Sequence, residues 1–410
     1  MKTVGIIAEY NPFHTGHKYH IEKTKSLTNA NCVIVIMSGN YVQRGFPAIA
    51  DKHTRAKAAL LGGADLVIEL PTIYSTGSAE TFAMGAISIL DKIGNVDMVS
   101  FGAETDNIEL LKKIADVLYE EPDNFKELLQ NNLKSGQSMP VARAGALSVY
   151  FSNEDIDNII NTPNNILALE YLKALRHFNS KITPMCVLRQ GSGYHQTELD
   201  TDFASATALR ECFNNEDFDN LSQFMPKEVF EVYKNIHGVS MPIFPEDIDA
   251  LMYHSIISNQ DILEEFLDIN NNLANKIRNY IKSGKILSCV DLIMSLKSKE
   301  ITHTRISRCL LHLLLGIRNS DLDEIKKANY PGYLRVLGFN DTGRKFLSSV
   351  KETTNLTIIT NLSDNIQSLS EPQSKMLDLD IYSTNIYRNI VNTKFKHTLK
   401  DEYRVHPIIN

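Results

Sequence analysis

The first hundred residues alternate between two patterns of hydrophobic positions. Short, largely apolar runs at 4–8, 32–37, 66–70 and 96–101 have the length of strands, and their Val and Ile content fits a sheet covered on both faces. Residues 14–27, 51–61 and 77–93 between them read as helices. Strands separated by helices predict an α/β architecture with a parallel sheet, in which ligands sit beyond the carboxyl ends of the strands. From 104 to 161 the chain reads as mostly helical. A further helix enters at 163 on Pro and Asn, and a further strand ends at Val187-Leu188-Arg189-Gln190. An acidic, Asn-rich stretch at 214–219 and a Pro break at 242–245 then interrupt the pattern. A first domain is therefore expected over 1–212, a linker over 213–245 and a mainly helical domain over 246–410, where apolar residues recur at spacings of three and four.

Three predicted strand ends carry unusual chemistry. After the first comes Glu9-Tyr10-Asn11-Pro12-Phe13-His14-Thr15-Gly16-His17. His14 and His17 lie three apart on a first helical turn and share a side, while Gly16 lets a bulky ligand approach the backbone. Exposed N–H groups at such a turn favour an anion, and phosphate is the expected one. The Gly-x-x-x-x-Gly-Lys-Ser/Thr pattern of a Walker loop is missing here. After the second strand comes the polar loop Ser38-Gly39-Asn40-Tyr41-Val42-Gln43-Arg44-Gly45, and after the fourth comes Gly102-Ala103-Glu104. Downstream, Ser205-Ala206-Thr207 opens a helix with Arg210 one turn on, a second candidate phosphate cradle. Taken singly, each is ordinary capping or turn chemistry; their coincidence on one edge points to a nucleotide site.

Composition narrows the setting. A chain of 410 residues, 43% hydrophobic, can build two or three cores, and its net charge of −7 excludes a uniformly basic coat. Cys32, Cys186, Cys212, Cys289 and Cys309 are scattered, odd in number and without Cys-x-x-Cys spacing, which fits reduced thiols and predicts no structural metal. Glu9 interrupts the first apolar run too early for a signal-peptide core, and no run reaches the twenty or so residues of a membrane span. A cytoplasmic protein with no membrane partner is expected. Against the acidic whole, residues 291–351 hold eleven Lys and Arg and six Asp and Glu. Lys297, Lys299, His303, Arg305, Arg308, His312 and Arg318 cluster around one predicted helix, which is read as a surface for an RNA backbone.

The His-x-Gly-His turn and Ser205-Ala-Thr-Ala-Leu-Arg210 resemble the two signatures of HIGH-type nucleotidyltransferases, with Leu209 where the wider superfamily has Ile. The longer strings Glu9 to His17, Met37 to Gly45, Pro163-Asn-Asn-Ile-Leu167 and Phe203 to Thr207, with the basic 299–308 segment, resemble the bacterial tRNA(Met) cytidine acetate ligase family over nearly the whole chain. That resemblance implies a Rossmann-like sheet followed by a mainly helical C-terminal domain. The activity it implies is activation of acetate by ATP to acetyl-adenylate, then acetyl transfer to the exocyclic amine of the wobble cytidine of elongator tRNA(Met). ATP with Mg2+ is the implied cofactor, and DNA is not an implied partner.

By the same resemblance, His14, His17 and Arg210 are catalytic. The ATP-binding loop maps onto Ile7, Ala8, Glu9, Tyr10, Asn11, Pro12, Phe13, His14, Gly16, His17 and His20, with Gly102, Asn165, Arg189, Gln190, Ser205 and Thr207 as further contacts. Lys297, Lys299, Arg305 and Arg308 are expected to meet RNA. Two other readings stay open: an adenylyltransferase of the nicotinate or pantetheine type, and an RNA-binding protein that keeps the fold without catalysis.

Overall fold

A computed structural model describes residues 1–152, 156–189, 204–284, 288–298 and 301–410. Its strands are β1 (Thr3–Ala8), β2 (Cys32–Ser38), β3 (Tyr41–Val42), β4 (Phe46–Pro47), β5 (Leu66–Leu70), β6 (Met98–Ala103), β7 (Thr183–Leu188), β8 (Leu334–Phe339), β9 (Ile358–Ile359) and β10 (Ile408–Ile409). Among the described residues one sheet runs in the order β10-β8-β5-β2-β1-β6-β7, with β9 also on β8, while β3 and β4 form a separate hairpin. The pairs β1–β2, β1–β6, β2–β5 and β6–β7 are parallel. Chain order reverses at β1, which has β2 on one side and β6 on the other. The crevice beyond its carboxyl end is therefore where such a sheet takes a ligand.

Burial on both faces explains the continuous apolar runs. In β2, Ile34 and Ile36 join the core that includes the Ala79–Ile93 helix. Val33, Val35 and Met37 face the opposite core, with Ile21 of the Thr15–Thr28 helix and Ala56 and Ala59 of the Lys52–Leu61 helix. Element ends follow capping chemistry. Asp51 accepts from His53 and Thr54 N–H (2.9 and 3.1 Å), and Ser78 from Thr81 N–H (3.2 Å), so the helices start just after these residues. β6 starts two residues later than the apolar run implies. Asp97 is occupied in accepting from Thr3 N–H (2.7 Å).

Two expectations change. Residues 213–245, read as a linker, contain the Phe218–Phe224 and Lys227–Ile236 helices, whose Leu221, Phe224, Val229 and Tyr233 are buried in the core beneath the Lys52–Leu61 helix. The sheet also extends beyond the first half of the chain, because β8 joins it antiparallel to β5 and carries β9 and β10. A buried ionic cluster fixes this junction. Lys52 Nζ donates to both Glu69 oxygens (2.9 and 2.8 Å) and to Glu402 Oε2 (2.8 Å), with Arg335 Nη2 at 3.5 Å from the same Glu402 oxygen. Burial opposes the Lys52 charge, but Glu402 and Glu69 outweigh it and its pKa is raised. No helix among the described residues is long and apolar enough to cross a membrane.

Candidate active site

The turn after β1 is held by a buried arginine. Arg55 donates to the backbone carbonyls of Glu9 (2.6 Å), Ala50 (3.0 Å) and Gly39. Asn11 Oδ1 accepts from Ile49 N–H (2.8 Å), and Tyr10 takes a left-handed backbone (φ 49°) that turns the chain. Phe13 is fully buried, its N–H donating to the Tyr233 hydroxyl (3.2 Å). So braced, the loop delivers His14 as the N-cap of the Thr15–Thr28 helix.

The two histidines cap the helix reciprocally. Gly16 N–H donates to His14 Nδ1 (3.1 Å), and His14 N–H to His17 Nδ1 (3.3 Å). A ring nitrogen that accepts from an N–H carries no proton, so the hydrogen bonds assign both imidazoles as neutral with hydrogen on Nε2. Each ring thus keeps one donor for a ligand in the cavity both residues line. Burial, reinforced by the Arg189 cation, lowers the His14 pKa to about 3 and that of His20 to about 4. Burial also holds His17 well below its ordinary value, with His14, Arg189 and His20 adding to it. His20 Nε2 meets Ser100 Oγ (3.0 Å), which Thr24 Oγ1 also reaches (2.7 Å).

The other strand ends converge on the same cavity, about 260 Å³ in volume. At the end of β7, Arg189 N–H donates to Ala103 O (2.9 Å), its side chain passes over Gly102, and Nη1 meets Asn164 Oδ1 (3.3 Å). A Cβ at Gly102 would stand 3.3 Å from Arg189 Cγ, so glycine leaves room for the guanidinium. Glu104 accepts from Asn164 and Asn165 N–H (3.3 and 2.8 Å), fixing the start of the Pro163–His177 helix. Ser205 Oγ caps the Ala206–Asn214 helix by accepting from Ala208 N–H (3.1 Å). Arg210 ties this helix to the first turn, Nη1 donating to Asn11 O (2.8 Å) and Nη2 to Thr207 Oγ1 (2.9 Å). From the β3–β4 hairpin, Gln43 N–H donates to Glu9 Oε1 (2.8 Å) and Arg44 Nη1 lies 3.5 Å from Thr207 Oγ1. Glu9 is buried, which raises its carboxyl pKa, with the Gln43 bond and Arg44, Arg55 and Arg210 acting the other way.

His14 and His17 at the first strand end and a capped helix bearing Arg210 line one cavity. The HIGH Nucleotidyl Transferase family model matches residues 1–402. The chain belongs to this family. It is similar to the tRNA(Met) cytidine acetate ligase of Clostridium perfringens, 39% identical with all of both chains covered, and to that of Clostridium tetani, 42% identical with 96% of each covered. An apo crystal structure of Thermotoga maritima TmcAL superposes with a TM-score of 0.94 at 32% identity, covering 100% of this chain and 99% of that one. TmcAL bound with alpha-thio ATP gives 0.90 at 31% identity, with the same coverage.

Within this family framework the structure brings most of the expected site residues together. Ile7, Ala8, Glu9, Tyr10, Asn11, His14, Gly16, His17, His20, Gly102, Arg189, Ser205, Thr207 and Arg210 all line the cavity. Phe13 instead serves the core, and Pro12 is likewise absent from the lining. Asn165 is buried, its Oδ1 accepting from Glu104 N–H (2.9 Å), and its neighbour Asn164 lines the cavity in its place. Gln190 and Lys299 lie outside the described residues.

Gln43, Arg44, Phe82, Phe101 and Tyr171 are lining residues the site assignment missed. Of these, the loop carrying Gln43 and Arg44 was visible as a polar strand end. In the basic segment Lys297 is exposed, and His303, Arg305 and Arg308 are half-buried. His312 belongs to the core, its ring nitrogens facing Thr76 O (2.9 Å) and Leu267 O (3.3 Å), and Arg318 pairs with Glu265.

Proposed function

We propose that this chain activates acetate with ATP and transfers the acetyl group to the wobble cytidine of elongator tRNA(Met). The observation that carries the reading is that His14 and His17, whose Nδ1 atoms accept backbone N–H groups, line one cavity with Arg189 and the Ser205-capped helix. Full-length similarity to tRNA(Met) cytidine acetate ligases, and to a relative whose structure holds alpha-thio ATP, supports the nucleotide and the acceptor. In the first step an acetate oxygen attacks the α-phosphorus and the bond to pyrophosphate breaks. In the second the cytidine N4 amine attacks the acetyl carbon, the acyl–oxygen bond to AMP breaks, and the amine gives up one proton.

Both steps build negative charge on phosphate oxygens, and the protein's part is to align the reactants and meet that charge. His14 and His17 offer neutral Nε2–H donors, Arg189 supplies a cation at the β7 end, and the helix capped by Ser205 starts on the same cavity, a place where an anion is favoured. Arg210 keeps the two halves of the cradle in register through Asn11 and Thr207.

Among the described lining residues Glu9 is the one carboxylate, and it is engaged by Gln43. No group of three or more His, Cys, Asp or Glu among the described residues is arranged to hold a metal ion. This donor set does not fit a Mg2+ held by the chain, so Mg2+ is assigned to the nucleotide's own oxygens and carries no step here. Lys297, Arg305 and Arg308, with Lys299, are assigned to the RNA backbone, and a cytoplasmic location follows from such a substrate. Acetate-dependent exchange of labelled pyrophosphate into ATP tests the first step. Exchange that requires acetate supports the reading, and exchange indifferent to acetate refutes it.

A further inference from the structure

The β3–β4 hairpin has one side on the nucleotide cavity and the other on the basic helix. On the cavity side, Gln43 N–H is fixed to Glu9 and Arg44 reaches Thr207 beside Arg210. On the other side, Ser307 of the His303–Leu315 helix donates its hydroxyl to Arg44 O (2.5 Å), with Thr304 O as a second, longer acceptor (3.0 Å). Gly45, at φ 82°, lies so close that a Cβ would overlap the backbone of Ser307 and Arg308. Phe46 adds a ring contact to His303, with centroids 6.2 Å apart. The Ser307 hydroxyl reaches both its own preceding turn and this separate loop, and the shorter of the two bonds is the tertiary one. It holds the main chain of the residue whose guanidinium enters the cavity, and it comes from the helix that carries Arg305 and Arg308.

We propose that Arg44 is a catalytic residue that contacts the phosphates during adenylate formation, and that Ser307 is the positioning residue that sets it from the RNA-facing helix. The proposal rests on the adenylate reading above. Arg44 and Arg210 both reach Thr207 Oγ1, so a nucleotide seated on the Ser205-capped helix meets two guanidinium groups rather than one. A guanidinium that meets charge developing on departing pyrophosphate lowers the barrier without tightening ground-state ATP binding. The hairpin is also the place where a macromolecule seated on the basic helix would touch the chemistry.

The test uses the full-length protein in acetate-dependent ATP–pyrophosphate exchange, with thermal melting as the control for folding. Arg44→Gln should lower kcat at least about tenfold with the KM for ATP within about threefold. Ser307→Ala should lower kcat about threefold to tenfold, and Ser307→Thr should restore most of it because the hydroxyl is kept. In the Arg44→Gln background Ser307→Ala should cost nothing further, since the two changes act through one group. Equal loss in both backgrounds, wild-type kcat in either single variant, or an effect confined to KM would overturn the proposal. Wild-type protein that shows no acetate-dependent exchange would instead defeat the adenylate reading and the proposal with it.

Discussion

Replacing His17 by asparagine separates the two tasks the structure gives this ring. Nδ1 accepts from His14 N–H at 3.3 Å, a long bond whose loss costs about 1 kcal/mol of stability at most. Nε2 is the donor left for the nucleotide, and removing one preorganised donor from charge that develops in the transition state costs roughly 10²- to 10³-fold in kcat, or about 3 to 4 kcal/mol. Asparagine puts an acceptor near the Nδ1 position and nothing near Nε2. Glutamine places an amide donor near Nε2 and gives up the cap. The ring also packs edge-on against Tyr10 (centroids 4.8 Å) and lies 3.8 Å from that of His14, so both variants should melt somewhat below wild type. In acetate-dependent exchange, His17→Asn should lose about two orders of magnitude in kcat with the KM for ATP little changed, and His17→Gln should recover part of it. A folded His17→Asn protein within threefold of wild-type kcat would refute the assignment of Nε2–H to the transition state.

Further outcomes follow from the same geometry. His14, with its pKa lowered to about 3, stays neutral in the folded chain while the unfolded chain protonates below about pH 6.5, so its contribution is full above that pH and is lost as pH falls toward the folded value. His14→Asn keeps a capping acceptor without titrating, and its stability deficit in urea unfolding should shrink by about 1.4 kcal/mol per pH unit below pH 6; a constant difference would contradict the buried neutral ring. Lys52→Met strands Glu69 in the core, while Glu402 keeps Arg335 and His53, and should cost about 3 to 5 kcal/mol, read as a fall in the urea midpoint, with an unchanged midpoint arguing against the buried cluster. Reversing Lys297 and Arg305 to glutamate should weaken tRNA binding in filter assays and lower the slope of log K against log salt by about two, while acetate-dependent exchange persists. An unaltered slope would remove these two side chains from the RNA surface.

What could be read in the sequence was local. Residues 4–8 and the His-x-Gly-His turn announce themselves because a strand, a cap and a ligand-facing glycine are all encoded within fifteen residues, and Ser205 with Arg210 is similarly self-contained. What escaped depends on pairing across the chain. Leu334–Phe339 is interrupted by Arg335 and Gly338, yet it forms a strand because Glu402 neutralises the buried arginine and β5 offers a free edge. The acidic 214–219 stretch reads as linker, but the chain then returns Leu221 and Tyr233 to the core. Asn165 is buried and Asn164 lines the cavity because the start of the helix at Pro163 is fixed by Glu104 sixty residues away, which is invisible locally. Arg44 lay in a loop already marked as polar, but its place in the site depends on a hairpin held from residue 307. His312 resembles its basic neighbours in sequence and is a core residue because two distant carbonyls surround it.

Acetate, ATP and a tRNA cytidine are proposed to react on this protein, and every catalytic role above depends on that reaction. It is tested most directly by incubating purified protein with carbon-labelled acetate, ATP and elongator tRNA(Met), then digesting the RNA to nucleosides. ATP-dependent label is expected in N4-acetylcytidine at the wobble position, its rate cut about a hundredfold together with that of pyrophosphate release by His17→Asn. Unlabelled RNA after a reaction that releases pyrophosphate, or acetylation that proceeds without ATP, would contradict it.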